Sequence, residues 1–433
     1  MNNFTLNLSK FLKIPPNLNE IFFFTLISCL IFITVGDNII DYIRILILKI
    51  IIVIYIIAHF DLEFYKKIKL DIITYKNTLI LLSLFIISVT LSYIFSPYEI
   101  SDFAFQWVRV RYLHIVSDIA LFIAFFLYFK KNGVNYKYLA YSIIIPGIIF
   151  SIIIFFSIVF NKEILNSPDQ MIFFDGIRQA GMMLGVLIIL ISSYIFVDYN
   201  QKNKLIGFFF ITLIFVLLFL FQGRGDFLSI ILTYFLTFIF FYKIKKKFKT
   251  NFIILIAILS ISFLISQFIM SYVVTKMNYI DPIKFEIQEL KGLLDTSGRI
   301  ELWKYTINKY FENPILGKGP GSFFIMSFID VIYNNHPFEK APSQPHNMIL
   351  QFLIEWGIIG TSIILILLIK ILINSLEFLI KYKKLILLIP GLTLIKLTIH
   401  GMIDGTFFHP TFTFIIVLLL SILCFEVRKI HRL

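Results

Sequence analysis

An all-α membrane protein of about twelve transmembrane helices is the fold that this 433-residue sequence predicts. Three observations lead there. Hydrophobic residues make up 59% of the chain and the mean hydropathy is +0.89, more apolar surface than a soluble core can bury. The apolar residues come in runs of about 20, the length that crosses a ~30 Å hydrocarbon layer as a helix. Lysine and arginine are spread unevenly over the polar breaks between those runs, as a fixed orientation in a bilayer requires.

Taken in order, the runs lie near residues 17–36, 39–59, 77–96, 112–130, 138–160, 179–197, 205–222, 226–242, 251–273, 347–370, 384–403 and 411–427. The first follows Lys10 and Lys13 with no small-residue cleavage site. It is therefore read as a retained helix and not as a removed signal peptide. With the N-terminus inside, the inner segments hold 23 of the 39 basic residues and the short outer segments five. Both termini are expected in the cytoplasm, and the long polar stretch between the ninth and tenth helices is expected outside. The chain then divides into 1–273 (helices one to nine), 274–346 (an outer loop with short helices) and 347–433 (helices ten to twelve).

Composition also excludes. The net charge of +13 is explained by cytoplasmic lysines, so nucleic acid is not an expected partner. Cys29 and Cys424 both sit in apolar runs, which argues against a disulfide framework or a thiolate metal site. The outer segments carry no DxD pair, no HExxH and no Cys/His cluster, so no metal and no cofactor are expected. Pro146-Gly147 and Pro390-Gly391 can kink their helices, but they are a weak sign of the broken, repeated helices of a transporter.

The outer arginines call for a reason. Only two of the 23 inner basic residues are Arg, against five of 13 outside: Arg109, Arg111, Arg178, Arg224 and Arg299. Arg presents a planar fork that binds phosphate oxygens in pairs and stays charged. All but Arg299 sit at expected membrane edges, the depth of a lipid phosphate. The plain alternative is that they reach to ordinary headgroups. Arg224 lies in QGRGDFLS, where Asp226 could pair with it; Arg178 lies in DGIRQAG, where Asp175 could. Arg299 opens an expected loop helix, with Ser297 as N-cap and Asn313-Pro314 as its end.

His346 is the sharpest single candidate. It ends the outer loop just before the tenth helix, after Pro342 and Pro345 stiffen the approach. Histidine is the side chain most often used as a general base. The alternative is a plain helix-start residue. Asn347 can cap the helix or bond a substrate hydroxyl. His336 is a weaker rival, and His114, His400 and His409 read as structural. GKGPGSF (Gly317 to Phe323) lacks the spacing of a phosphate-binding P-loop and reads as a tight turn.

Together these residues resemble a family. Arg224 with Leu228, SGRIELWKY, NPILGKGPGSF and HNMILQFLIEWGIIG are similar, in order and membrane context, to the O-antigen ligase family of membrane glycosyltransferases. The likeness is close from about Gly223 to Gly360; before that it rests on topology and Arg178. The chain departs from the commonest small-residue pattern ahead of the family's Arg, having Gln222-Gly223 there. The resemblance implies a glycan donor on undecaprenyl pyrophosphate and a lipid A–core acceptor. It places the reaction at the periplasmic face of a multi-pass inner-membrane protein surrounded by lipids. It implies that His346 activates the acceptor hydroxyl, that Arg178, Arg224 and Arg299 bind the pyrophosphate, and that metal is not required. Arg109 and Arg111 are additional candidates from topology alone.

The residues fit that chemistry in their own right. Pyrophosphate is a good leaving group, so the reaction needs a base, cations for the departing charge and an apolar groove for the polyprenyl tail. The absence of an obvious carboxylate pair points to single displacement with inversion. Two other readings stay open. A polymerase joining lipid-linked repeat units would show the same residues. A lipid-linked oligosaccharide flippase would carry more intramembrane polar groups than Arg44, Lys49 and Lys396, for which no acidic relay is evident.

Overall fold

The computed structural model describes residues 20, 23–28, 39–58, 60, 76–97, 102–160, 177–197, 201–220, 224–241, 246–276, 297–333, 342–382, 385–407 and 409–431. Among these residues the regular structure is helical throughout. The helices are α1 (Ile39–Ala58), α2 (Lys76–Ile94), α3 (Asp102–Asn132), α4 (Tyr136–Phe160), α5 (Ile177–Val197), α6 (Gln201–Leu220), α7 (Arg224–Phe241) and α8 (Lys246–Lys276). Two loop helices follow, α9 (Ser297–Tyr310) and α10 (Ser322–Ile332). Then come α11 (Met348–Tyr382), α12 (Leu388–Gly401) and α13 (Pro410–His431).

Five of these are long and apolar enough to cross a membrane, over Gln106–Asn132, Gln179–Val197, Thr250–Ile269, Met348–Glu377 and Pro410–Val427. Shorter apolar helices accompany them. At 14 residues α12 rises only about 21 Å, less than a hydrocarbon layer. Most of the expected first span, and His336, fall outside the described residues.

The chain forms two compact units. The first comprises residues 1–142, 302–383 and 405–433; in it α3 packs on α1, α2 and α13, and α11 packs on α2, α10 and α13. The second comprises residues 143–301 and 384–404, where α5, α6, α7, α8 and α12 pack together.

One local device dominates the first unit. α11 breaks at Gly357, whose φ of 63° and ψ of −172° are not helical. A continuous helix would bond Ile358 N–H to the Ile354 carbonyl and Ile359 N–H to that of Glu355. Both bonds are replaced by bonds to the segment between α9 and α10. Lys318 N–H donates to Ile354 O at 2.7 Å and Gly319 N–H to Glu355 O at 3.1 Å. Ile358 N–H donates to Pro314 O at 2.9 Å and Ile359 N–H to Ile315 O at 3.5 Å. The loop thus threads the break and satisfies every backbone group the break releases. From α2, Ser92 Oγ adds a bond to Glu355 O at 2.5 Å and Ser96 Oγ one to Lys318 O at 2.9 Å.

GKGPGSF is therefore more than a tight turn. Its glycines, at φ of 74°, 100° and 73°, adopt backbone that other residues resist. They also leave room: a Cβ at Gly317 would lie 2.5 Å from Gly357 N, and one at Gly357 would lie 2.1 Å from Ile315 O. This predicts that Gly357→Ala strongly lowers the thermal transition of the detergent-solubilised protein. The left-handed backbone costs about 1–2 kcal/mol and each stranded buried polar group about 1–3 more. Gly133→Ala, at φ 77° with nothing within 4 Å, should show only the backbone part. Gly391→Ala, helical and with no neighbour within 4 Å, should be neutral or stabilising by up to about 1 kcal/mol.

Candidate functional site

His346 sits directly ahead of α11 with φ 50°, the one non-glycine residue with positive φ among the described residues. Such backbone persists only where its surroundings impose it. Here both sides are fixed. Before it, the carbonyl of Pro345 accepts a bond from Trp303 Nε1 at 3.0 Å. After it, Asn347 Oδ1 accepts from the N–H groups of Ile349 and Leu350 at 3.0 and 3.1 Å. That is N-capping, the first of the two roles expected for Asn347. Sequence reading missed Trp303, which sits four residues after Arg299 and so shares its face of α9. Arg299 itself is partly buried.

α9 and α10 hold this arrangement against α11 through a small core of Leu302, Tyr305, Phe323, Met326 and Ile354. A charged network runs beside it. Lys309 bonds Asp330 at 2.9 Å and Glu312 at 3.5 Å; Lys318 also bonds Glu312, and Tyr305 Oη donates to Asp330 at 2.7 Å. For Lys309, burial pushes the ammonium pKa down, but Asp330 and Glu312 outweigh it and the net shift is upward from 10.5. For Glu312, burial pushes up, but Lys318 and Lys309 outweigh it and the net shift is downward from 4.5. The raised Lys309 contributes stability below pH about 10.5 that is lost as pH rises through its folded value. The depressed Glu312 contributes stability above pH about 4.5 that is lost as pH falls through its folded value. Thermal melts against pH should therefore show an acid limb beginning near pH 4.5, shallower in Glu312→Gln, which should also melt lower at pH 7.

Below the interlock, α2, α3, α11 and α13 enclose an apolar cavity of about 140 Å³. Its walls include Leu82, Ile119, Phe352, Trp356 and Ile416, and its polar members include Arg111, His114 and Asp118. Phe352 and Trp356 stack at 4.4 Å, and Phe85 meets Trp356 edge-on at 5.2 Å. Arg111 is buried, its guanidinium 5.7 Å over the Tyr42 ring and within electrostatic reach of Glu355. Glu355 is buried too, bonded by Gln351 Nε2 at 3.2 Å and by the N–H of Gly321. Arg109, by contrast, is exposed.

One expectation needs correction: buried lysines of the apolar helices do have acidic partners. Lys49 is fully buried and bonds Asp118 at 2.5 Å and His114 Nδ1 at 3.4 Å, while His114 Nε2 donates to the Tyr42 carbonyl at 2.8 Å. Lys396 bonds Asp226 at 2.6 Å. Asp226 also lies 3.3 Å from His400 Nε2. Arg178 and Arg224 occupy the second position of α5 and the first of α7, both in the second unit; their side chains lie outside the described residues. Their helix-start positions suit anion binding, since free N–H groups gather there.

Residues 208–365 match the family model described as O-antigen ligase. Over that stretch the chain is similar to the O-antigen ligase family. The matched stretch includes Arg224, Arg299, His346 and Asn347, and begins after Arg109, Arg111 and Arg178. Among curated relatives, a protein provisionally named a polysaccharide ligase in Rickettsia prowazekii (strain Madrid E) is 26% identical over 59% of this chain and 61% of its own length. A similarly named protein of Rickettsia typhi (strain Wilmington) is 25% identical over the same shares. One of Rickettsia conorii (strain Malish 7) is 39% identical over 18% of this chain and 20% of its own length. The alignment with the first of these spans about three-fifths of that relative.

Proposed function

We propose that this membrane protein transfers a polysaccharide from undecaprenyl pyrophosphate to a lipid A–core acceptor at the periplasmic face of the inner membrane. The observation that carries the reading is the imposed left-handed backbone of His346, at the end of a loop bolted to the helix that follows. In this reading His346 takes the proton of the acceptor hydroxyl as it attacks the anomeric carbon. The bond from that carbon to the pyrophosphate oxygen breaks on the opposite face, and configuration inverts. Arg178, Arg224 and Arg299 stabilise the departing pyrophosphate without a metal ion. The matched family segment supports the roles of His346, Arg224 and Arg299.

The first unit supports a lipid-linked substrate. Arg111 precedes Lys130 by 19 residues on α3, about 29 Å along the helix and close to a ~30 Å hydrocarbon layer. With Lys130 at the inner surface, Arg111 stands at outer headgroup depth, beside a cavity of apolar side chains. A single isoprenoid or acyl chain with an anionic head matches that pairing. The orientation, the twelve spans and the division into helices one to nine, outer loop and helices ten to twelve belong to the same proposal.

With purified protein and a defined donor, His346→Ala is expected to lower transfer by roughly 10²–10⁴ while the protein stays folded. Full activity in this variant would rule out His346 as the base. In a deletion strain, lipopolysaccharide gels should show bare core. Core bearing a single repeat unit would instead identify a polymerase.

A further inference from the structure

The buried charge cluster of the second unit goes beyond these roles. Asp226 Oδ1 accepts from Lys396 Nζ at 2.6 Å and lies 3.3 Å from His400 Nε2. Lys396 Nζ also donates to the Met182 carbonyl at 3.3 Å. Lys396, His400 and Asp226 are 0%, 1% and 3% exposed. One cluster therefore joins α5, α7 and α12.

The surrounding backbone is shaped to admit it. A Cβ at Gly185 would lie 2.7 Å from Lys396 Nζ, one at Gly181 would lie 3.1 Å from Asp226 Oδ2, and one at Gly225 would lie 3.4 Å from His400 Nε2. The two glycines of α5 make room for Lys396 and Asp226, while at Gly225 the contact with His400 is an ordinary one. Stability alone does not call for this. Desolvating such ions is costly, and a well-packed apolar replacement is often as stable or more so. Buried charge in apolar helices is retained where geometry has to be specified.

What the cluster specifies is the start of two helices. Arg178 precedes Gly181 by three residues, a rise of about 4.5 Å; Arg224 precedes Asp226 by two, about 3 Å. Arg178, Gly181 and Gly185 also fall on one face of α5. We propose that Asp226, Lys396 and His400 are positioning residues that set the starts of α5 and α7, and with them the spacing of Arg178 and Arg224 for one pyrophosphate. This rests on the reading of those two arginines as pyrophosphate ligands.

Removing Asp226 alone strands the Lys396 charge, so the informative variant is the double one, Asp226→Asn with Lys396→Met. It is expected to melt near the wild type in detergent. Its KM for a synthetic glycan on undecaprenyl pyrophosphate should rise about tenfold, with the acceptor KM unchanged. Gly185→Ala, which crowds Lys396 without removing any charge, should show the same donor-specific rise and serves if the double variant does not fold. A donor KM at the wild-type value in the folded variants, or equal rises for donor and acceptor, would overturn the inference. A wild-type protein that neither binds nor uses this donor would remove the underlying reading, and the inference with it, before any variant is compared.

Discussion

The break in α11 at Gly357 is the constraint on which the first unit depends. Two helical hydrogen bonds are opened there, and four loop-to-helix bonds close the groups they release. In apolar surroundings such groups cannot be left unpaired, at several kcal/mol each. The helix therefore cannot take this shape without residues 314–319 in place. The positive-φ glycines Gly317, Gly319, Gly321 and Gly357, the serines of α2 and the buried Glu355 all serve this joint. It fixes the loop close to His346, and Trp303 carries the restraint to the peptide just before that residue.

Buried charge is the second recurring theme. In each unit a lysine inside apolar helices meets an aspartate and a histidine: Lys49 with Asp118 and His114, Lys396 with Asp226 and His400. Ions so placed do not report simple stability, because their desolvation offsets much of their attraction. Their geometry instead joins α1 to α3 and α7 to α12. In the first unit the cluster reaches the wall of the apolar cavity through His114 and Asp118. In the second it lies within the first turn of the helix that bears Arg224.

Sequence patterning made the helices legible because each apolar run is nearly a helix in itself. Helix ends followed local chemistry, as Asn347 shows by capping α11 as its residue type suggests. What could not be read were pairings over distance. The Asp226 carboxylate goes to Lys396, 170 residues on. GKGPGSF looked like a turn because its partner is the broken helix some 40 residues later, and nothing in WGIIG announces that Gly357 leaves the helical region. Trp303 was passed over for the same reason: a single indole N–H gains its meaning only from the carbonyl it finds.

Hydrogen–deuterium exchange tests the joint between loop and helix most directly. The amides of Lys318, Gly319, Ile358 and Ile359 should exchange as slowly as those in the middle of α11, although the first two belong to a glycine-rich segment between α9 and α10. Exchange of residues 317–319 at the rate of an unprotected peptide, in the folded wild-type protein, would contradict the interlock and the placement of His346 that follows from it.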